Sequence, residues 1–354
     1  MSVLNLQTAP EATVPKGFTP VTVVDGYVPV IDLSSARSTP AADRRLAAVI
    51  DEVCRTSGFL VVVGHGVPAR TIAEMYRATR EFFALPAEVK SALRADPADP
   101  LMRGFGRSGS LAASNADASV AHERALPDVS ETFTVNRLGE ADGAAALPAD
   151  ADRALLTPNR WPQLPGFAEA YRAYYAAMEQ LAADLMRLFA LALDLPEDWF
   201  AAKIERHMTN LTANYYPRQP VPPAPGQLRK GLHSDWGSLT ILYQDDGPGG
   251  LQVLDKGGDW LDVPVIEGSF VVNIGDLMAI WTNNRWVSTV HRVVNPPREL
   301  ADRERYSVPF FHQPAYDALI ECIPTCTGPG RPARHRPVRS GEYIIGKFAR
   351  AYGS

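Results

Sequence analysis

The chain has 354 residues, 46% of them hydrophobic and 21% charged, with a formal net charge of −5. That is enough apolar material for a sizeable core and an enclosed site. The acidic balance, without long runs of one sign, argues against nucleic acid or an anionic membrane as partner. No run of about 18 apolar residues suggests a membrane span, and the start MSVLNLQTAPEATVPKG lacks a secretory pattern, so a cytoplasmic protein is expected. Three cysteines, Cys54, Cys322 and Cys326, are too few for a disulfide framework, and the Cys322–Cys326 pair lacks the companions a zinc site needs.

In chain order, the sequence opens with a loose arm, followed by a short strand at YVPVIDL, 27–33. Residues 40–55 place Leu46, Val49, Ile50 and Val53 on one helical face. GFLVVVGHG, 58–66, reads as a buried strand ended by glycines, and a helix follows Pro68. The small, polar stretch 103–128 has no period and reads as a long loop, a candidate lid together with the proline-rich 217–227. Between 166 and 195, Phe167, Tyr171, Tyr174, Met178, Leu181, Leu185 and Leu188 recur three or four apart, which predicts the longest helix. Beyond residue 207, the segments LTANYYP, SLTILYQ, GLQVL, SFVVNIG, STVHRVV and YSVPFF alternate with turns, the pattern of an antiparallel barrel or sandwich.

His233 and Asp235 lie two apart before one of these β-like runs, and an extended segment points such a pair to one side. His291, on a later strand, is the third candidate ligand. Two histidines and one carboxylate leave positions open on an octahedral ion, an arrangement suited to non-haem iron(II). Zinc, which accepts the same ligands, and a plain histidine–carboxylate pair are the alternatives from the residues alone.

The stretches HSDWGSLTILYQDDGPGGLQVL, GDWLDVPVIEGSFVVNIGDLMAIWTNNRWVSTVHRVV and RYSVPFFHQP resemble the isopenicillin-N-synthase-like branch of the iron(II)/2-oxoglutarate oxygenases, from about 210 to 314. VPVIDL and SGFLVVVGHGVP are similar to that family's N-terminal region. The resemblance implies a mainly β, α+β fold, a double-stranded β-helix or jelly roll with a helical N-terminal region. It divides the chain into an N-terminal region 1–140, a helical segment 141–206, the jelly-roll core 207–314 and a C-terminal extension 315–354.

By the same resemblance, His233, Asp235 and His291 are the iron ligands, and Arg305 and Ser307 grip the distal carboxylate of 2-oxoglutarate. Asn214 and Tyr216 are further 2-oxoglutarate candidates, although many relatives carry arginine where this chain has Thr212. Phe311, Arg103 and Phe105 are candidate substrate contacts, His65 is expected to serve the fold, and Trp236 to pack. The implied cofactors are Fe(II), 2-oxoglutarate and O2. The implied reaction couples decarboxylation to succinate and CO2 with hydroxylation by default, or desaturation, cyclisation or epoxidation. The expected substrate is a small molecule, an amino acid or a secondary-metabolite intermediate. A 2-oxoglutarate-independent oxidase of the isopenicillin N synthase kind is the alternative, and a non-catalytic jelly roll would have lost a ligand.

Overall fold

The computed structural model describes residues 27–107 and 126–352. The first half runs β1 (Val30–Asp32), α1 (Pro40–Thr56), β2 (Phe59–Val63), α2 (Ala69–Phe83), α3 (Ala87–Ser91), β3 (Gly104–Arg107), β4 (Glu131–Asn136), α4 (Phe167–Ala192) and α5 (Ala201–Ile204). The second half runs β5 (Asn210–Tyr216), β6 (Lys230–His233), β7 (Leu239–Gln244), β8 (Leu251–Leu254), β9 (Trp260–Asp262), β10 (Phe270–Ile274), α6 (Asp276–Trp281), β11 (His291–Val293), β12 (Arg305–His312), β13 (Leu319–Ile320), β14 (Val338–Arg339) and α7 (Ser340–Tyr352).

An eight-stranded sheet, ordered β1-β2-β10-β7-β12-β5-β4-β3, and a four-stranded sheet, β6-β11-β8-β9, form the jelly roll. All the pairings are antiparallel except β1 with β2. Strand alternation assigns each side chain of the large sheet to one of two environments. On β12, Tyr306, Val308 and Phe310 belong to the helix-backed core, whereas Arg305, Ser307, Pro309 and Phe311 line a cavity between the sheets. On β5, Leu211 and Ala213 go to the core, and Asn210, Thr212, Asn214 and Tyr216 to the cavity.

The outer face of the large sheet is covered by helices. Thr39 caps α1 by accepting a hydrogen bond from Ala42 N, with Pro40 in the first turn, where no amide is missed. In α4, 26 residues long, the seven apolar residues picked out by spacing are all buried. Phe167 and Tyr171 stack at 4.3 Å and meet Phe133 and Phe82, an aromatic cluster that fastens α2 and α4 to β4. Among the described residues, no helix is long and apolar enough to cross a membrane.

The predicted strands and long helix lie within a few residues of the observed ones, and the long loop was the exception. Its first residues form β3, which pairs with β4, neither strand having been expected. Residues 108–125, the body of that candidate lid, lie outside the described residues. Strands β1 to β4 belong to the same sheet as β5, β7, β10 and β12, so that sheet runs across the boundaries drawn at 140 and 206.

Phe133 is fully buried in the aromatic cluster. Phe133→Ala is expected to destabilise the fold by about 3–5 kcal/mol through lost transfer energy and the cavity left behind. Urea unfolding should show a lower midpoint with an unchanged slope; a shift below about 1 kcal/mol would mean that the cluster does not anchor the helices.

Candidate metal centre and cosubstrate cavity

His233 ends β6, and Asp235 follows in the turn that leads to β7. This turn docks closely on the start of α6: a Cβ on Gly275 would collide with the Gly237 carbonyl oxygen. Asp276 N and Leu277 N donate to the carbonyls of Asp235 and Trp236. His291 opens β11 and pairs directly with His233.

The ligand atoms of His233, Asp235 and His291 all lie within 4.8 Å of one another. Backbone carbonyls accept from both histidines at Nδ1, Gly231 O at 2.8 Å for His233 and Thr289 O at 3.1 Å for His291. A carbonyl can only accept, so Nδ1 carries a proton, and in the neutral ring it is then Nε2 that holds the lone pair. Asp235 Oδ2 accepts from Thr240 Oγ1 at 2.6 Å and Asn273 Nδ2 at 2.7 Å, while Oδ1 faces His291 Nε2 at 3.8 Å. Two imidazole lone pairs and one carboxylate oxygen thus converge, each fixed from behind. That is the donor chemistry of a divalent transition-metal site.

Burial, and then the facing His291, push His233 down to about 3. Burial would raise Asp235, but the two imidazoles and the bonds from Asn273 and Thr240 outweigh it and hold the carboxylate below its ordinary range. At neutral pH, His233 is an uncharged imidazole and Asp235 an anion, as metal ligation requires.

The cavity measures about 210 Å³. At the end away from the triad, Arg305 is 1% exposed; its Nη2 donates to Gln244 Oε1 at 3.3 Å and its Nη1 has no hydrogen-bond partner among the described residues. Ser307 lies two residues on along the same face of β12, opposite Asn214, as Arg305 lies opposite Tyr216. The Tyr216 ring is 5.0 Å from the Arg305 guanidinium carbon and 6.0 Å from that of a second buried arginine, Arg229. Burial and the charge of Arg305 push Arg229 down to about 10, and its Nε and Nη1 are unpartnered. Asp245 acts electrostatically on both guanidiniums, but burial pushes it up. Two buried cations beside Asp245 suit a carboxylate at this end, and the open Nη1 is a donor without an acceptor among the described residues.

Of the anticipated contacts, Asn214, Tyr216, Arg305, Ser307 and Phe311 all line this cavity. Arg103 and Phe105 do not. Arg103 is buried in a two-pronged pairing with Asp99, at 2.7 and 2.8 Å, and donates to Leu155 O, which clamps two loops together. Phe105 packs against Phe82 in the core. The cavity instead receives Met102 and Gly106, the immediate neighbours: Gly106 takes the face of β3 opposite to Phe105, and Met102 lies before the strand with a left-handed φ of 52°. His65 bonds Gly268 O and receives Val67 N, a turn-building role separate from the ligand set.

Sequence reading missed Thr240, Asn273, Gln244, Arg229, Lys230, Gln313 and Phe348. Asn273 carried a signal, a polar residue in the apolar run FVVNI. Phe348 reaches the cavity from α7, where it packs edge-on against Trp236 at 5.0 Å. Helix α7 is tied down by Tyr343 Oη and Lys347 Nζ, both donating to Asp276 Oδ2.

Residues 209–314 match the model of the 2OG-Fe(II) oxygenase superfamily, and residues 28–164 that of the non-haem dioxygenase in morphine synthesis N-terminal family. The chain is 33% identical to the 2-oxoglutarate-Fe(II) type oxidoreductase hxnY of Emericella nidulans, covering 92% of this chain and 90% of that protein. It is 34% identical to validamycin A dioxygenase of Streptomyces hygroscopicus subsp. limoneus, covering 91% and 86%. The crystal structure of a full-length Neurospora crassa protein in complex with alpha-KG and thymine superposes with a TM-score of 0.78 at 26% identity, covering 93% and 99%.

The lowered values at His233, Asp235 and the buried His312 share one sign. Each group binds more protons unfolded than folded, so stability rises with pH. For the histidines, the loss begins as pH falls below the unfolded value of about 6.5. For Asp235, it begins only below about 4. The metal-free chain should therefore show a falling urea midpoint from pH 7 to pH 5, and His233→Gln a smaller fall. Equal slopes in the two would show that His233 is not held neutral by the fold.

Proposed function

The chain belongs to the 2OG-Fe(II) oxygenase superfamily, and on that premise we propose that His233, Asp235 and His291 hold its iron and Arg305 and Ser307 its 2-oxoglutarate. Its reaction is the Fe(II)- and 2-oxoglutarate-dependent oxidation of a small-molecule substrate with O2. One observation carries the assignment of residues. A convergent His-Asp-His donor set and a buried guanidinium with an unpartnered Nη1 share a single cavity.

Iron(II), with 2-oxoglutarate and O2, supplies the oxidising power, and the protein supplies position and the exclusion of water. The backbone carbonyls at Gly231 and Thr289 keep both Nε2 atoms turned to the centre, and Thr240 with Asn273 fixes which carboxylate oxygen of Asp235 is offered. Phe59, edge-on to His291 at 5.2 Å, keeps that ring from rotating and dries its outer side. Arg305 and Ser307 take the distal carboxylate, with Asn214 and Tyr216 beside them. Phe311, Met102 and Thr212 lie on the walls left for the primary substrate.

The substrate we favour is an amino acid or a secondary-metabolite intermediate. Support comes from the relatives, whose names include validamycin A dioxygenase and homoarginine-6-hydroxylase. Hydroxylation is the default outcome, since it needs no second site on the substrate. The three cysteines are unpaired, which supports a reducing, cytoplasmic setting.

His233→Ala is expected to abolish iron-dependent succinate formation, and turnover retained in that variant would remove the triad from the mechanism. Arg305→Ala should raise the half-saturating 2-oxoglutarate concentration by about a hundredfold or more, the loss of two charge-assisted hydrogen bonds. Oxygen uptake measured with and without 2-oxoglutarate tests the dependence itself; uptake indifferent to the cosubstrate would favour the oxidase alternative.

A further inference from the structure

Strands β6 and β11 are out of step. His291 pairs with His233 and Val293 with Lys230, so one residue of β11, Arg292, faces two of β6, Gly231 and Leu232. In a regular strand, residues three apart point to opposite faces. This bulge removes that opposition, and Lys230 lines the same cavity as His233. Its row-mates across the sheet, Val293 and Leu251, line it as well.

The Lys230 side chain is only 11% exposed, and its ammonium makes no hydrogen bond to another described residue. The carboxylate beside it, Asp128, has Oδ2 at 4.0 Å, beyond hydrogen-bond reach. Asp128 spends its other oxygen on Gly231 N at 2.8 Å, and burial pushes its carboxyl above the ordinary range. A side chain largely withdrawn into the cavity, with three donors and no acceptor within hydrogen-bond reach among the described residues, is placed to take a ligand anion.

On the reading given above, 2-oxoglutarate is committed at both ends, to Arg305 and Ser307 at one and to the metal at the other. We infer that Lys230 anchors the primary substrate, and that this substrate carries a carboxylate. The inference rests on the iron and 2-oxoglutarate assignment of the cavity. The hydroxyl and apolar walls at Met102, Thr134, Thr212 and Phe311 are left for the uncharged part of such a molecule.

The test uses the full chain loaded with Fe(II) and 2-oxoglutarate without oxygen. It is titrated calorimetrically with hexanoate, benzoate and N-acetylalaninate, each against its primary amide. The acids should bind about tenfold more tightly than the amides, the worth of a charge-assisted bond over a neutral one. That preference should fall below about twofold in Lys230→Met and persist in Lys230→Arg. Because Lys230→Met strands Asp128, the double variant Lys230→Met/Asp128→Asn serves if the single one does not fold.

Equal binding of acids and amides by the unaltered chain, or an unchanged preference in both charge-removing variants, overturns the inference. So does weakened 2-oxoglutarate binding in Lys230→Met with the acid preference intact, which would give the lysine to the cosubstrate. Failure of the unaltered chain to bind 2-oxoglutarate at all would overturn the oxygenase assignment of the cavity as well, and is measured first.

Discussion

The two hydrogen bonds that Thr240 and Asn273 make to Asp235 Oδ2 are the constraint on which the centre depends. A carboxylate this deeply buried is tolerable only if donors and opposite charge replace the water it has lost. The donors stand on β7 and β10, at positions that pair directly across the sheet. Slipping either strand by one residue would turn its donor into the helical core. The sheet's register and the ligand's orientation are therefore one requirement. Strand β7 pairs on its other side with β12, setting Ser307 opposite Gln244, and β12 in turn sets Arg305 opposite Tyr216 on β5, so the two ends of the cavity are linked through β7.

The inner face of the large sheet is divided: Phe59, Val61 and Val271 pack against Leu251, Val253 and Val293 of the small sheet, the polar residues line the cavity, and the outer face gains its burial under the helical layer. Tyr306, Val308 and Phe310 on β12, Leu211 and Ala213 on β5, and Val272 and Ile274 on β10 all contribute to the core backed by α1, α2 and α4. Charged and hydroxyl side chains can then project inward from elements whose backbone is fixed from the other side. Positions held this way are suited to presenting ligands within a few tenths of an ångström.

Much of this was legible because strands have a period of two. The spacing of Arg305 and Ser307 foretold a shared face, and the alternation beyond residue 207 foretold the sheets. The pairing of His233 with Asp235 on one side also emerged, although Asp235 lies just past the end of β6, in the turn. The period also explains the errors. Where no strand was recognised, as at β3, a position could not be assigned a face, and Phe105 was named in place of Gly106. Thr240 and Asn273 could not be matched to Asp235 because the pairing of β7 with β10 is a fact of register between distant stretches of chain, and register is invisible in one sequence. The bulge in β6 was equally hidden, since it exists only relative to β11. Arg229, at the end of a proline-rich loop, looks from its neighbours like a solvent-facing charge.

The distribution of charge along the cavity gives these placements a direction. At the triad, His233 is uncharged and Asp235 contributes one negative charge; at the far end, Arg305 and Arg229 face Asp245, whose carboxyl burial pushes up. A molecule with a carboxylate at each end is drawn to the guanidinium end, while at the triad Asp235 repels it and Lys230 attracts it. A dication between His233, Asp235 and His291 makes that end positive, and the cavity then attracts both carboxylates. A metal held there, as proposed, would do more than supply reactivity: it would strengthen an electrostatic match that at this end otherwise rests on Lys230 against Asp235. Because the neighbours that orient Asp235 also outweigh the burial that would raise it, its charge persists across the neutral pH range.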